Sequence, residues 1–531
     1  MSTPALPVGT PIWSPFRHKT FAIIWTATLV SNIGGWMYSS ASAWLMTTLT
    51  SDPLMVSLVQ MAASLPMFLF ALPAGALTDI VDKRRFLIGG EAFIAVVCTV
   101  FAFMVWLHLV TPVTLLLCVF LIEAGSAATA PAWQAVVPAL VPAPELGPAL
   151  AMNSVGVNVS RAIGPALGGA ITVSFGLAAP FWVNAVSNLG TIGALMRWRA
   201  PRERTSHLPA ERFASAIRTG IRHAHNNSRL RATLIRAVGF FLFASCYWAL
   251  LPLVARQQLG GGAPLYGILL GAIGSSAIGG AFALPWLKRR LGSNGAMLAG
   301  SIGTAAALVL FGLAHRPLTA LLGSLIAGVS WIAVLANLNV SAQLALPEWV
   351  RGRGLAIYVT ASFGAMTIGS IIWGQVASVG GLPRAHFIAA AGAALAALAT
   401  QRWRLQSGPS PDLTPSMQWP TPVVNKNVEA DSGPVLVMVE YRIDTKNRDA
   451  FLQTIAKLSH ERGRDGAYDW GIFEDIAAPG RMVETFYVES WLEHLRQHER
   501  VTKADRAVEQ SLNRLLIAPP TATHLIAARR D

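Results

Sequence analysis

The sequence predicts an all-α membrane protein of twelve transmembrane helices in two pseudo-symmetric six-helix halves, followed by a small cytoplasmic α+β domain of ferredoxin-like order. Apolar stretches, an internal repeat and a late change of charge carry this prediction. A spanning helix needs about 20 mostly apolar residues. Such stretches run over 21–47, 54–77, 86–107, 112–133, 148–174 and 178–196, then over 230–256, 264–287, 295–314, 318–344, 354–379 and 383–401.

The two sets of six echo each other at an offset of 205 residues. Gly75, Lys83, Arg84 and Arg85 recur as Gly280, Lys288, Arg289 and Arg290. Arg197-Trp198-Arg199 recurs as Arg402-Trp403-Arg404, Leu150-Ala151 as Leu355-Ala356, and Gly164 and Gly169 as Gly369 and Gly374. Paired membrane halves are a mark of secondary transporters, with the substrate site near the midplane between them.

Charged residues make up 13% of the chain, where a soluble protein carries about 25%. Residues 1–404 hold 26 of the 41 Lys+Arg and 9 of the 27 Asp+Glu, whereas residues 405–531 hold 15 basic and 18 acidic residues. The basic excess therefore belongs to the membrane part and describes no nucleic-acid surface. Cys98, Cys118 and Cys246 all sit in apolar stretches, which excludes a disulfide framework and points to structural thiols. No cleavable signal peptide is expected, since the first apolar run has no A-x-A-like site.

Arg17, Lys19, Lys83-Arg84-Arg85, the basic residues from Arg197 to Arg231, Lys288-Arg289-Arg290, Arg351, Arg353, Arg402 and Arg404 alternate with connections holding only Arg256, Arg316 and Arg384. The positive-inside rule puts the richer side, and with it both termini, in the cytoplasm. The domains expected are a first half over 1–200, a connecting segment over 201–229, a second half over 230–404, a Pro-rich linker over 405–432 and a soluble domain over 433–531. In the connecting segment Phe213, Ile217 and Ile221 recur every four residues among Arg212, Arg218 and Arg222. That spacing gives an amphipathic helix that lies on the membrane face or serves as a solvated linker. In the last domain, strands near 435–443, 468–476, 482–489 and 522–527 alternate with helices over 447–461 and 491–516. The order is β-α-β-β-α-β.

Gly75-Ala-Leu-Thr-Asp79-Ile-Val-Asp82-Lys83-Arg84-Arg85 resembles the signature loop of the major facilitator superfamily, with Ile80 in place of a usual Arg and Asp82 in place of a usual Gly. Gly164-Pro165-Ala-Leu-Gly168-Gly169 resembles the antiporter motif of exporters in that superfamily. Pro131-Ala-Trp-Gln134, Glu145-Leu, Asn153-Ser, Asn158, Arg161, Arg351-Gly-Arg353 and Tyr358 resemble a narrower group, the transmembrane secretion effector family, whose members include an enterobactin exporter and antibiotic-resistance pumps. Ser490-Trp491-Leu-Glu-His494-Leu-Arg-Gln-His498 is similar to the tail of longer members, which resembles small dimeric monooxygenase-like domains. The resemblance implies a multi-pass protein of the bacterial inner membrane and, for Gly75, Asp79, Lys83, Arg84 and Arg85, a latch on one conformation. Leu284 stands opposite Asp79 in the repeat, so the basic cluster recurs without its acid.

Charges in mid-span are costly and usually functional. Glu123 and Arg161 are equally far from Pro142, near the turn between spans four and five. Antiparallel neighbours would then hold them at similar depth as a buried pair. Glu123 would carry a proton and Arg161 would hold that charge or the substrate's. A static structural pair is the alternative. Met366 replaces Arg161 in the repeat and Ser370 replaces Pro165. Glu91 is expected at the interface. Asn32, Trp36, Tyr38 and Ser42, with Asn153, Asn158, Asn184, Asn188, Asn337, Asn339, Gln343, Tyr358 and Gln375, are cavity candidates, although an interhelical hydrogen bond serves each single Asn as well. His494 and His498 share a helix face, but no third ligand is evident beyond His460 or Asp469. Surface histidines and no metal or cofactor are expected.

No G-x-x-x-x-G-K-[ST] stretch occurs, so an ion gradient rather than ATP is the expected energy source. The reading that results is a proton-coupled exporter of a small amphipathic molecule, not an enzyme. Its partners are substrate, proton and lipid bilayer. Tail dimerisation would pair two transporters as a homodimer. The alternative makes the tail an enzyme or sensor for the transported compound.

Overall fold

A computed structural model describes residues 11–78, 81–198, 213–405, 432–500 and 509–527. Asp79 and the Pro-rich linker lie outside these residues. The chain forms two compact units. One comprises Met1–Pro209, Leu234–Asn339 and Tyr358–Leu405, and the other Ala210–Thr233, Val340–Ile357 and Gln406–Asp531.

The first unit is built from long helices: α1 (Lys19–Leu49), α2 (Pro53–Thr78), α3 (Lys83–Trp106), α4 (Pro112–Leu140), α5 (Leu146–Phe175), α6 (Ala179–Arg197), most of α8 (Ser228–Leu253), α9 (Ala263–Gly312), most of α10 (Pro317–Leu344) and α11 (Arg351–Gly380), and α12 (Leu382–Ala399). Among the described residues, eight helices are long and apolar enough to cross a membrane. The difference from twelve has two sources. The 50-residue α9 runs through two expected stretches, interrupted at Gly292, where φ is 68°. Helices α1, α5 and α6 have the expected bounds, but Ser, Thr, Asn and Gly dilute their apolar character. Gly292 lies between the two expected stretches, and a positive φ suits a residue without a Cβ.

The glycines of the repeat mark where helices meet. A Cβ on Gly164 would fall 2.5 Å from the Trp36 Cβ, and one on Gly168 would fall 3.1 Å from Met37 Cα, both on α1. A Cβ on Gly169 would fall 2.8 Å from the Ala263 carbonyl at the start of α9. The echo follows this pattern: Gly369 of α11 meets Leu242 and Ser245 of α8, and Gly374 meets Leu54 and Ser57 of α2. The partners, like the glycines, are about 205 residues apart. Such approaches replace the missing hydrophobic drive in lipid by close packing. Pro165 is buried in the seam, and its carbonyl lies 2.7 Å from where Gly267 of α9 would carry a Cβ.

Basic residues close two helix ends. Arg84 donates through Nε to the Leu195 carbonyl at 2.9 Å and through a terminal nitrogen to the Met196 carbonyl at 2.6 Å. Arg236 does the same for Thr400 and Gln401, the repeat equivalents of those two residues, from a different helix. Each cation thus meets the negative end of a helix dipole. Arg85 is exposed, and Asp82 accepts its backbone N–H to cap α3.

In the second unit lie α7 (Phe213–Asn226), the first turns of α8, the facing ends of α10 and α11, and the C-terminal domain. That domain has the expected order: β1 (Val435–Ile443), α13 (Arg448–Arg464), β2 (Tyr468–Glu474), β3 (Arg481–Val488), α14 (Trp491–Arg500) and β4 (Leu516–Ile526). The antiparallel sheet runs β2-β3-β1-β4. Alternation on β1 and β3 points Val435, Val437, Val439, Met482, Phe486 and Val488 into one core with Phe451, Ile455 and Leu458 of α13. Glu484 shares that face and is wholly buried. It accepts hydrogen bonds from the Tyr441 hydroxyl at 2.7 Å, Trp470 Nε1 at 2.8 Å and Arg462 Nε at 3.4 Å. Three donors on one carboxylate compensate for its lost hydration. At the rim Arg481 bonds to Glu440 and Asp475 and holds both carboxyls below the usual range.

Two outcomes are expected. Replacing Gly169 with Leu should force apart α5 and α9 and cost about 1–3 kcal/mol, read as a lower melting temperature of the solubilised protein. Glu484→Ala should remove the acceptor that three buried donors share and cost the C-terminal domain about 3–5 kcal/mol, read as faster amide exchange across β1 and β3 in the full chain.

A candidate central site at the helix seam

Arg161 lies on α5 at its seam with α9. Its carbonyl lies 2.9 Å from where a Cβ on Gly274 would stand, so α9 crosses directly against it. Its guanidinium sits over the Trp36 ring of α1, 5.4 Å from the centroid. The Tyr247 hydroxyl of α8 is within electrostatic range. Arg161 Nε is buried and makes no hydrogen bond among the described residues. A cation thus lies over an aromatic ring of one side of the repeat and within electrostatic range of a phenol of the other. Beyond Tyr247, an aromatic group continues through Trp248, Trp331, Phe240 and Phe241, with ring centroids 5.3 to 5.8 Å apart.

Glu123 is elsewhere. It lies within electrostatic range of Tyr38 of α1 and Cys98 of α3. Among the described residues no ion pair joins it to Arg161, so the buried pair expected from equal depth is not formed. Equal distance from a turn fixes depth but leaves the azimuth of each helix free. Glu91, expected at the interface, is instead only 7% exposed and accepts a hydrogen bond from Trp133 Nε1 at 3.0 Å. Its place near a span end suggested the interface, and nothing in the sequence marked Trp133 as its donor.

The amide candidates divide. Asn184 donates to Cys98 Sγ at 3.1 Å, and Asn188 accepts from Ser31 Oγ at 2.8 Å, so both tie α6 to its neighbours. Asn158 and Asn337 bond to their own helices. Asn32, Asn153 and Asn339 are half-buried and carry no side-chain hydrogen bond among the described residues. Tyr358 is buried, whereas Gln343 and Gln375 are exposed. Sequence reasoning missed Tyr247, Trp248 and Trp331, because aromatic residues in an apolar stretch read as ordinary lining.

Side-chain bonds across the repeat converge at the end remote from the basic loops. Arg256 donates to Thr47 Oγ1 at 3.2 Å and lies over Trp44, which stacks on Tyr266. Gln257 donates to the Ser51 carbonyl at 3.2 Å, and Ser378 donates to Asp52 at 3.0 Å. Deeper in, Ser64 pairs with Thr367 at 2.8 Å.

In the C-terminal domain His494 is 1% exposed and not a surface residue; its ring lies 4.5 Å from that of His524. The His498 side chain lies outside the described residues. Among the described residues no group of three potential ligands is placed to hold a metal.

Comparison with known proteins agrees with this architecture. Macrolide efflux protein A of Streptococcus pyogenes is 25% identical over 253 residues, 45% of this chain and 60% of that protein. The uncharacterized MFS-type transporter YfiS of Bacillus subtilis is 24% identical over 232 residues, 42% of this chain and 53% of that protein. The chain thus spans at most 60% of the length of these curated relatives. Among solved structures, a mutant of the nucleoside transporter NupG superposes with a TM-score of 0.59 at 10% identity, over 72% of this chain and 99% of that one. A bacterial homologue of the iron transporter ferroportin in an inward-facing state gives 0.55 at 16%, over 72% and 98%. Residues 10–531 match the transmembrane secretion effector family, and the chain belongs to that family of membrane transporters.

Proposed function

We propose that this protein is a proton-coupled exporter of a small amphipathic molecule, working by alternating access between two six-helix halves. One observation supports it above the others: Arg161 stands at the seam over the Trp36 ring and within electrostatic range of the Tyr247 hydroxyl. A cation among aromatic faces suits a solute with an anionic or polarised oxygen and a large apolar body. Macrolides enter as candidates through the relative named for their efflux, and catechol siderophores through the family resemblance. Because Glu123 and Arg161 are not paired with each other, proton and substrate are handled at separate points, each of which changes its exposure as the halves rock. Glu123 is the proton carrier in this reading. The bonds that Arg256, Gln257 and Ser378 donate to Thr47, Ser51 and Asp52 support a state sealed at one end. With the basic loops and both termini in the cytoplasm of a bacterial cell, that sealed end faces outward from the inner membrane.

The C-terminal domain is accessory rather than catalytic in this reading. Its outer sheet face carries Tyr487, Leu525 and Phe473, all exposed, and a second copy laid on that face would make a homodimer. A second reading, in which the domain senses the transported compound, is favoured by Gln497, whose buried amide makes no hydrogen bond among the described residues.

In proteoliposomes with an internal pH dye and an imposed proton gradient, a macrolide or catechol siderophore should trigger proton flux that Glu123→Gln reduces by about 100-fold or more. Arg161→Ala should instead weaken the response to substrate by about tenfold or more. Full coupled flux in Glu123→Gln would contradict the proton assignment.

A further inference from the structure

We propose that α7 is an adaptor through which the C-terminal domain governs the junction between α10 and α11. The helix has 14 residues, a length marginal in water without outside contacts. Two stripes supply them. Gly220, His223 and Asn227, just past the end of α7, make one stripe. A Cβ on Gly220 would stand 3.3 Å from the Arg353 Cβ. His223 meets the Trp349 ring edge-on at 5.5 Å, and Asn227 donates to the Ala345 carbonyl at 2.7 Å. All three partners lie between the end of α10 and the first turn of α11. Arg222 and Asn226 make the other stripe. Arg222 donates to the Gly466 carbonyl at 2.6 Å, reaches Glu489 at 3.5 Å and covers the Tyr468 ring at 5.6 Å. Asn226 packs where Gly463 lacks a side chain.

The Arg222 stripe therefore grips the C-terminal end of α13 and a residue just ahead of α14, in the favourable sense for a cation at a helix C-terminus. Ile221, 54% exposed, lies outside both stripes and continues the apolar row expected to meet the bilayer. A ligand or second copy that shifts the end of α13 must pull Arg222, and α7 then carries the change to the segment Ala345–Arg353. Helices α10 and α11 continue from that segment into the other compact unit. None of this depends on what is transported.

Hydrogen–deuterium exchange on the full-length protein in lipid nanodiscs tests it. Arg222→Ala should speed exchange about fivefold or more in peptides covering both 463–468 and 345–353, with α3 and α4 unchanged. Arg222→Lys keeps the charge but not the fork, and should give a smaller effect at the same two places. Gly220→Leu pushes from the opposite side. Coupling is reciprocal, so this variant too should loosen 463–468. A response confined to the stripe each substitution touches, or no response at 345–353 to Arg222→Ala, would overturn the proposal.

Discussion

Backbone reaching backbone across the repeat is the contact on which the membrane part depends. Gly169 against Ala263, Gly267 against Pro165 and Gly274 against Arg161 bring α5 and α9 together where a Cβ would intervene. Gly374 against Leu54 and Ser57 does the same for α2 and α11. In lipid there is no water to drive apolar faces together, so the fit of small residues carries the association. A seam held by fit and a few hydrogen bonds can open without exposing a broad apolar core.

Arg161 gains its meaning from this seam. Gly274 admits α9 close to the Arg161 backbone, and the arginine lies over Trp36 within electrostatic range of Tyr247. Glu123, Glu91 and two of the cysteines, Cys98 and Cys118, stay among α1, α3 and α4. On the proposed reading, separation of the two charges gives one handle for a proton and one for a solute, which a buried ion pair would cancel.

The elements were legible in the sequence because a bilayer imposes length and apolarity, and because the repeat fixed which glycines matter. The β-α-β-β-α-β order was legible from alternation on β1 and β3. Strand β4 begins earlier than expected, at Leu516, and includes Pro519 and Pro520 because it is an edge strand, where a missing N–H is tolerated. Azimuth was not legible. It decides whether Glu123 meets Arg161, whether Glu91 faces Trp133, and whether His494 is buried against His524. The same limit hid the second face of α7: the apolar row at 213, 217 and 221 was visible, while the stripes through Gly220 and Arg222 show only when their partners, more than a hundred residues away, are in place.

On the proposed reading the repeat halves swing about this seam. Pulsed electron spin distances in the full-length protein test it most directly, with one label pair at Leu109 and Leu313 and another at Leu77 and Leu291. Acidifying the medium or adding a transported compound should lengthen one distance while shortening the other. Distances that stay fixed under both treatments, or that change together in the same direction, would contradict it.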